Sequence, residues 1–413
     1  MLDNKQIAAF IANKRKSKGL TQQQVADSLH ISFQAVSKWE SGATYPTIEL
    51  LYALSRLLDT TTDEILSAKD SDNTGLTYSK AGVDISYSDS IKCEMAAYVN
   101  SQNPRVLNGL GPFASLYDIK FDDIKKPVLV LKSEEPGSKQ KIALKYGYTE
   151  SICHDMINHL VNDIIVMGAK PLAVLDTIIC GNAEKDTIKS IVKVISEACA
   201  NNECDLVGGE TSIQPGVVEK GVYILTASIA GIVDKEKIID GSRILPGDKI
   251  LALASNGLHT NGYSLVRLLM EKMPGIQNEK INDETFLEAI MKPHAAYYKA
   301  VKRIFGRING MAHITGGGIQ GNLSRIMPPN LSASIDLSKI IIPPVFKHIK
   351  ANGNIEDSEM LKTFNCGVGL IIVVNPSAEV TITKELSAFY NCYTIGEVGQ
   401  GNPLVSYVNK LKW

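Results

Sequence analysis

Hydrophobic and polar positions near the start of the chain repeat with the period of short amphipathic helices. Within residues 21–42, Thr21 and Gln24 have the spacing of a capping box, and Ser32 lies where it can cap a second helix. A third amphipathic helix is expected at 47–58. The apolar positions that we expect to face one core are Val25, Ala26, Leu29, Val36 and Trp39. The pattern predicts short helices joined by tight turns.

Further along, apolar runs typical of strands alternate with longer helical patterns, and the alternation restarts after a seam at 235–248. The predicted strands are 127–132, 172–179, 205–209, 222–233, 249–255, 311–315, 331–336, 366–374 and 392–398. The predicted helices of this part are 149–168, 184–202, 262–273, 286–305 and 376–390. We therefore predict a multidomain protein with an all-α head at 1–68, a linker at 69–76, and two α/β subdomains at 77–235 and 236–413.

Charge and cysteine content narrow the class of protein. The formal net charge of −1 excludes a chain that is basic as a whole and binds nucleic acid or anionic lipid by bulk charge. Seven cysteines, without a CxxC pair, fit reduced thiols in a cytosol better than a disulfide framework or a cysteine zinc site. The apolar run at 222–233 is too short to cross a bilayer, and the first residues lack the apolar stretch of a signal peptide. We expect a cytoplasmic protein with no membrane partner.

The helical head closely resembles the Xre/phage-repressor family of helix-turn-helix proteins over residues 5–66. The resemblance implies double-stranded DNA as the partner of residues 1–66, with the second helix in the major groove. It places four side chains toward base edges: Gln22, Phe33, Gln34 and Lys38. The alternative is a module for dimerisation or protein contact, which the equal numbers of basic and acidic residues in this part favour. A local basic cluster still offers a phosphate-facing patch: Lys14, Arg15, Lys16 and Lys18.

The predicted helix at 149–168 is apolar over most of its circumference but carries one polar stripe. The stripe follows the spacing i, i+4, i+7 and i+8 and consists of Asp155, His159, Asn162 and Asp163. Carboxylates on a largely buried face need a cation or hydrogen-bond donors. Oxygen ligands of this kind suit Mg²⁺, which proteins often share with substrate phosphates. In the alternative, the stripe caps neighbouring strands.

Three glycine-bounded segments have the character of phosphate-binding loops. In "LVGGETSIQPG" (206–216) a strand stops at two glycines before Glu210 and Thr211, although a plain turn would look the same. "GLHTNGYSLVR" (257–267) places polar residues ahead of a helix. "HITGGGIQGNL" (313–323) puts three glycines between a strand and a helix, where backbone N–H groups can approach a phosphate.

Taken together, the motifs resemble those of the AIR synthase family in order and approximate spacing, from about residue 77 to the C-terminus. The motifs are AGVDI (81–85), NGLGPF (108–113), LVND (160–163), MGAKPL (167–172), LVGGET (206–211), LHTNGYSLVR (258–267), HITGGGIQGNL (313–323) and TFNCGVG (363–369). The resemblance implies two α/β subdomains, a homodimer, and an ATP site near the dimer interface. It also implies ATP-driven ring closure of formylglycinamidine ribonucleotide to aminoimidazole ribonucleotide, with ATP and Mg²⁺ as cofactors.

Carried over to this sequence, the resemblance assigns roles to particular residues. The expected catalytic residues are Asp163, Glu210 and His259. The expected ATP- and phosphate-binding residues are Glu134, Ser138, Lys139, Asn162, Gly208, Gly209 and Thr211. The expected substrate-binding residues are Asn261, Thr315, Gly316, Gly317 and Gly318, and the expected metal ligands are Asp155, Asp163 and Glu210.

The stretch "KSEEPGSK" (132–139) departs from the family's glycine-rich nucleotide loop. Glu134 stands for an aspartate and Lys139 is kept, but Glu135 replaces a glycine and Pro136 removes an N–H donor. Two functions therefore remain open: a working cyclo-ligase with a DNA-binding regulatory head, or a transcription regulator whose degenerate body senses a purine intermediate or nucleotide. A different ATP-dependent reaction of the same superfamily is a further alternative. Retention of the acidic residues and glycine loops favours the enzyme.

Overall fold

The computed structural model describes residues 4–69, 81–82, 85–99, 103–109, 111–402 and 404–413. The chain divides into two compact units, Met1–Ala81 and Gly82–Trp413, and each buries a hydrophobic core of its own. Nearly all of the predicted linker, and parts of the motifs at 81–85 and 108–113, lie outside the described residues. The predicted fold class, an all-α head followed by an α/β body, is confirmed.

The first unit consists of short helices whose ends are set by capping side chains. The helices are α1 (Asn4–Ser17), α2 (Gln22–Ser28), α3 (Phe33–Glu40), α4 (Ile48–Leu57) and α5 (Thr62–Ser67). The predicted capping box of Thr21 and Gln24 is present, and Ser32 accepts a hydrogen bond from the Ala35 N–H. Val36 and Trp39 are buried, as their spacing predicted. The local sequence therefore determines both helix starts.

The second unit alternates strands and helices. Its helices are α6 (Ile85–Val99), α7 (Lys139–Tyr146), α8 (Thr149–Ile165), α9 (Lys185–Asn201), α10 (Tyr263–Lys272), α11 (Phe286–Ile290), α12 (Tyr298–Val301), α13 (Gly318–Leu323), α14 (Pro344–Gly353), α15 (Asp357–Thr363) and α16 (Glu379–Ser387). Its strands are β1 (Pro127–Glu134), β2 (Lys170–Cys180), β3 (Asp205–Ile213), β4 (Tyr223–Asp234), β5 (Lys249–Ala254), β6 (Lys280–Ile281), β7 (Glu284–Thr285), β8 (Gly310–His313), β9 (Leu331–Asp336), β10 (Val368–Val374), β11 (Cys392–Gln400) and β12 (Val405–Val408).

The first sheet of this unit has the order β1-β4-β2-β3, with β2 and β3 parallel and the other pairs antiparallel. Helix α8 packs against β1, β2 and β4, and α9 packs beside α8. Because side chains alternate along a strand, the opposite face carries the exposed residues Leu129, Leu131 and Leu175. One face of this sheet is thus covered by helices, and the other has an apolar surface.

The second sheet has the order β12-β9-β11-β5-β10-β8. Strand β10 reads VGLIIVV and is buried at every position, as a strand covered on both faces should be. The first sheet ends at Asp234 and the second begins at Lys249, on either side of the seam expected at 235–248. The two sheets therefore form two subdomains within one compact unit.

The prediction of one continuous helix at 286–305 is wrong. Helix α11 ends at Ile290, α12 begins at Tyr298, and residues 291–297 lie between them without helical structure. Pro293 explains the break, because proline has no N–H to donate within a helix and disfavours helical backbone in the residue before it. Among the helices of the described residues, none is long and apolar enough to span a bilayer.

Candidate functional site

A cleft of about 570 Å³ lies between the two sheets and collects polar side chains from both. Five of the residues predicted for the site line it: Glu134, Asp163, Asn261, Thr315 and Gly316. Six further polar or charged residues line the cleft that the sequence reasoning did not select for these roles: Lys132, His159, Asp240, His313, Asn322 and Arg325. We call this cavity the inter-sheet cleft.

Asp163 on α8 is the most heavily partnered acid of the cleft. Its carboxylate lies 2.7 Å from His313 Nδ1 and 3.0 Å from Lys132 Nζ. Burial opposes ionisation of Asp163, but the hydrogen bonds that its carboxylate accepts from His313 and from Lys132 outweigh burial and lower the pKa of the carboxyl. Asp163 is therefore ionised at neutral pH and can only accept from its partners.

Lys132 places an ammonium between two acids of the cleft. Its Nζ lies 3.1 Å from Glu134 Oε2 and 3.0 Å from Asp163 Oδ2. Partial burial disfavours the charge, but the two carboxylates outweigh it and raise the pKa of Lys132. A divalent cation bound by Glu134 and Asp163 would compete with this ammonium for the same oxygens. This arrangement does not fit a Mg²⁺ ion held by Asp163.

Lys139 and Asp155 form an ion pair that is fully buried. Lys139 Nζ lies 2.8 Å from Asp155 Oδ2 and donates to the Lys292 carbonyl at 2.8 Å. Burial lowers the pKa of Lys139 and raises that of Asp155 to about 6, while each charge opposes the shift of the other. Neither side chain has any exposure through which to reach a ligand. This burial disagrees with the phosphate-binding role expected of Lys139 and with the metal-binding role expected of Asp155.

Asn162 and Ser138 also make internal contacts. Asn162 donates to the Ala295 carbonyl at 2.8 Å and accepts from the Tyr297 N–H at 3.1 Å. The Ser138 hydroxyl lies 3.5 Å from that of Ser264. The amide of Asn162 is fully buried, and both its oxygen and its nitrogen are hydrogen-bonded to backbone groups. Its contacts in the structure are therefore with the backbone and not with a phosphate site.

Glu210 lies in a different cavity, of about 900 Å³, together with Gly208 and Gly209. Glu210 is opposite Thr177 in the β2–β3 register, and strand alternation puts both on the face that carries Leu175, away from α8. Asp163 and Glu210 therefore lie on opposite faces of the first sheet. The expectation that they share one ion does not hold within a single chain, because the sheet separates them. Thr211 follows on β3 and is half-buried.

Asp176 on β2 is a buried acid that the sequence reasoning missed. A Cβ atom at Gly209 would overlap its carboxylate, so Gly209 is required by a neighbour within the chain. Burial raises the pKa of Asp176 to about 7. The available signal was the alternation of β2, which puts Asp176 on the helix-covered face of the sheet.

His259 lies behind the cleft rather than at its surface. Its backbone has φ of 61°, in the left-handed region that residues other than glycine adopt uncommonly. Its ring is buried and stacks on that of His294 with centroids 3.9 Å apart. In the triple-glycine loop, Gly318 is the first residue of α13, has φ of 62°, and would overlap the Leu361 carbonyl if it carried a Cβ, whereas Gly317 is the N-cap of that helix. Only Gly316 of the three lines the cleft.

In the helical head, three of the four residues expected at DNA are exposed on α3: Phe33, Gln34 and Lys38. The fourth, Gln22, donates to Glu40 Oε2 at 2.7 Å. Arg15 of the predicted basic patch also binds Glu40, with its Nε at 2.6 Å. This ion pair joins α1 to α3, so Arg15 is used inside the head and not toward phosphate.

Comparison with family models covers most of the chain. Residues 127–233 match the AIR synthase related protein N-terminal domain, residues 246–409 match the corresponding C-terminal domain, and residues 11–65 match a helix-turn-helix. The two AIR synthase models thus match the two subdomains, and the third model matches the helical head.

Relatives and solved structures agree with these matches. The chain is 39% identical over 322 residues to the phosphoribosylformylglycinamidine cyclo-ligase of Methylobacillus flagellatus, covering 76% of this chain and 92% of the relative. It is 37% identical to the same enzyme of Geobacillus thermodenitrificans, covering 78% and 96%. E. coli HypE has a TM-score of 0.56 at 17% identity, covering 78% and 94%. Thiamine-monophosphate kinase of Stenotrophomonas maltophilia has a TM-score of 0.56 at 14% identity, covering 80% and 98%.

The structural likenesses show the fold alone, whereas the identity with the cyclo-ligases extends over nearly their whole length. The motifs, the family models and the relatives all agree on the family. The chain belongs to the family of AIR synthase related proteins and carries a helix-turn-helix head.

Proposed function

We propose that the body of this protein is an ATP-dependent cyclo-ligase that converts formylglycinamidine ribonucleotide to aminoimidazole ribonucleotide, and that it works in the cytoplasm. The identity with enzymes named for this reaction supports the proposal. The observation that carries it is the inter-sheet cleft, in which Asn261, Thr315 and Gly316 from the second subdomain face Asp163 of the first.

In the proposed reaction, the formyl amide oxygen of the substrate attacks the γ-phosphate of ATP, and ADP leaves. The resulting imidoyl phosphate has a good leaving group in place of an oxide. An amidine nitrogen then attacks the same carbon, phosphate leaves, and the nitrogen loses a proton as the imidazole ring closes. The protein has to neutralise phosphate charge and hold the nitrogen against the carbon in a reactive geometry.

The residues of the cleft suit these tasks. Among the described residues, the buried Nδ2 of Asn261 has no hydrogen-bond partner, so it is a free donor at the cleft wall. Asn322 donates to the carbonyls of Thr315, Gly316 and Gly318, and the Gly318 N–H donates to the Thr315 carbonyl, so the conformation of the glycine loop is fixed. Arg325 and Lys132 contribute positive charge at the same cavity. We assign the substrate's polar groups to these donors.

For ATP, support comes from the fold. The hydrogenase maturation protein HypE, which has been solved in complex with ATP, matches with a TM-score of 0.56 at 16% identity. The expected Mg²⁺ stays a prediction. It is not assigned to Glu134 and Asp163, because Lys132 already lies between these two carboxylates. That same ammonium favours a second candidate function, in which the body binds a purine intermediate or nucleotide without turnover and acts as a sensor for the head.

The deciding experiment incubates the purified full-length chain with formylglycinamidine ribonucleotide and ATP, and follows aminoimidazole product together with phosphate release. We expect turnover in the wild type and a loss in kcat of roughly 100-fold or more for Asn261→Ala, because a donor aimed at developing charge is removed. Asn278→Ala, which changes an exposed asparagine outside the cleft, is the matched control. Binding of the substrate without product would reject the enzyme and support the sensor.

For the head, we propose binding of double-stranded DNA by a homodimer. The match to a helix-turn-helix and the exposed side chains of α3 support DNA binding. The exposed apolar face of the first sheet, with Leu129, Leu131 and Leu175, supports self-association. Two heads held by a dimeric body would favour a palindromic site.

Gln34→Ala tests this proposal. A DNA site is first selected from a random double-stranded library with the wild type, and affinities are then compared at one salt concentration. We expect the variant to bind that site about 1–3 kcal/mol more weakly and with relaxed sequence preference, because a base contact is lost. Gln23→Ala removes the same side chain from α2, where it binds Asp27 instead, and should bind normally. Equal binding by the two variants would remove Gln34 from the interface.

A further inference from the structure

Four of the seven histidines of the chain gather at one point behind the inter-sheet cleft. They come from α8, the loop before α10, the segment at 291–297 and β8, and they are His159, His259, His294 and His313. The ring centroid of His294 lies 3.9 Å from that of His259, 5.0 Å from that of His313 and 5.3 Å from that of His159. All four are buried. We call this group the histidine cluster.

The cluster has imidazole nitrogens that the protein does not satisfy. Among the described residues, Nδ1 and Nε2 of His259 and Nδ1 of His294 are buried and have no hydrogen-bond partner. A buried polar atom that has lost its water without gaining a partner costs free energy, and such atoms are rare in native proteins. Three of them side by side point to a ligand that accepts nitrogen lone pairs.

The orientation of His313 supports the same conclusion. The ionised Asp163 can only accept, so the Nδ1–H of His313 donates to it at 2.7 Å. Nε2 of His313 then carries the lone pair and accepts a hydrogen bond from the Nε2–H of His294 at 2.9 Å, a contact that an ion bound by both rings would replace. A carboxylate that accepts from one ring nitrogen of a histidine is the usual support behind an imidazole that binds a metal through its other nitrogen.

Charge also favours metal binding. The surrounding charges are Asp163 and Glu134, with Lys132, on the cleft side and the ion pair of Lys139 and Asp155 on the other. Asp163 would offset part of the charge of a bound cation.

We propose that His259, His294 and His313 bind one divalent transition-metal ion of the class that prefers imidazole, with Zn²⁺ as the foremost member. One nitrogen from each lies within 4.8 Å of the others. Tetrahedral ligation at about 2.1 Å would place the three nitrogens roughly 3.4 Å apart, so the rings would close on the ion as it binds. Three histidine ligands leave the fourth tetrahedral position to a water or a substrate oxygen.

The three ligands belong to the second subdomain, whereas Asp163, which accepts from His313, lies on α8 of the first subdomain. The ion would therefore connect the two subdomains. The proposal is independent of the proposed cyclo-ligase activity, because metal binding is measured directly. Zinc that binds the folded chain and not the unfolded chain also raises the thermal midpoint, which gives a second readout.

The test uses untagged full-length protein, stripped with a chelator and dialysed, in a Cys93→Ser background because Cys93 is an exposed thiol that could take zinc by itself. Zn²⁺ is titrated by calorimetry. We expect one equivalent per chain, and for His294→Gln a loss of affinity greater than the roughly 10- to 100-fold caused by removing a residue that only orients a ligand. His348→Gln, which pairs with Glu279 outside the cluster, should bind as the parent does.

Far-UV circular dichroism establishes that His294→Gln is folded. If it is not, the parent protein decides alone: Co²⁺ in a three-histidine site should give an intense visible absorption that Zn²⁺ displaces, and aqueous Co²⁺ should not. Absence of Zn²⁺ binding by the parent, or unchanged binding by folded His294→Gln, would overturn the proposal. Zn²⁺ binding with cyclisation absent would leave the metal site standing and reject only the enzyme.

Discussion

Asp176 accounts for a glycine whose purpose the sequence did not reveal. The sequence indicated that Gly208 and Gly209 bare the backbone for an approaching phosphate or its metal, whereas at Gly209 the space is taken by the Asp176 carboxylate from the adjacent strand. The glycine motif was therefore readable, but its partner was not, because strand pairing between β2 and β3 depends on contacts distant in sequence. Buried acids of this kind, with a strongly raised pKa, are concentrated at functional sites.

The stability of an Asp176→Asn variant should depend on pH in a defined direction. Burial raises the folded pKa of Asp176 to about 7, so its protonated form stabilises the fold at low pH and that contribution is lost as pH rises through 7. The neutral asparagine avoids this loss. We expect the variant to gain relative to the wild type as pH rises from 5 to about 7, by at most about 3 kcal/mol, and to change little from there to pH 8.5.

Urea unfolding midpoints across that pH range measure the difference. Asp186→Asn removes an exposed carboxylate on α9 and controls for the change of net charge alone. A difference between Asp176→Asn and the wild type that stays constant with pH would mean that Asp176 is not a strongly shifted acid.

Lys132 is a second residue whose partner, distant in sequence, could not be predicted. Strand β1 continues to Glu134, beyond the strand predicted at 127–132, and its alternation places Lys132 and Glu134 on one face. The second partner of Lys132, Asp163, comes from α8 and could not be assigned without the packing of that helix on β1. The expectation of a metal at Asp163 followed from the polar stripe of the helix and from the family resemblance, and neither included the ammonium of Lys132.

At the level of elements, the polar stripe of α8 divides into two parts. Asp155 and Asn162 hold the backbone of the segment 291–297, which is close to the alternative in which the stripe caps neighbouring structure. His159 and Asp163 face the inter-sheet cleft. The helical period predicted the stripe itself. The partner segment could not be predicted, because its residues were interpreted as part of a continuous helix at 286–305.

Lys139→Met should destabilise the protein by about 3–5 kcal/mol, because it leaves the charge of Asp155 buried without its partner. The measurement is urea unfolding at neutral pH. In the double variant Lys139→Met/Asp155→Asn, a neutral amide oxygen still accepts the His294 N–H, so most of this loss should be recovered. If Lys139→Met is as stable as the wild type but has a raised KM for ATP, Lys139 binds phosphate and the internal role is wrong.

At the scale of the whole molecule, the order of helices and strands was largely predictable from periodicity and turn residues. The head was predicted with its caps, and the two sheets lie on either side of the seam at 235–248. The cleft was less predictable, since it is built from residues as distant as Lys132 and Arg325. Individual glycine loops and acids were recognisable in sequence. Which of them face one cavity depended on the folding of both subdomains.

The two compact units should unfold separately. The head buries its own core, including Ile7, Val25, Val36 and Leu54, and none of these residues belongs to the core of the body. A unit with its own core is expected to fold alone, and one of about 60 residues buries a smaller fraction of its surface and is less stable than a larger one.

We expect differential scanning calorimetry of the full chain to show two transitions, with the head melting first. A chain lacking residues 1–69 should lose only the first transition and keep the cyclisation rate of the whole protein. A single transition, or a lower midpoint in the truncated body, would instead mean that the head stabilises the body, and a DNA site bound by the head would then also affect the catalytic part.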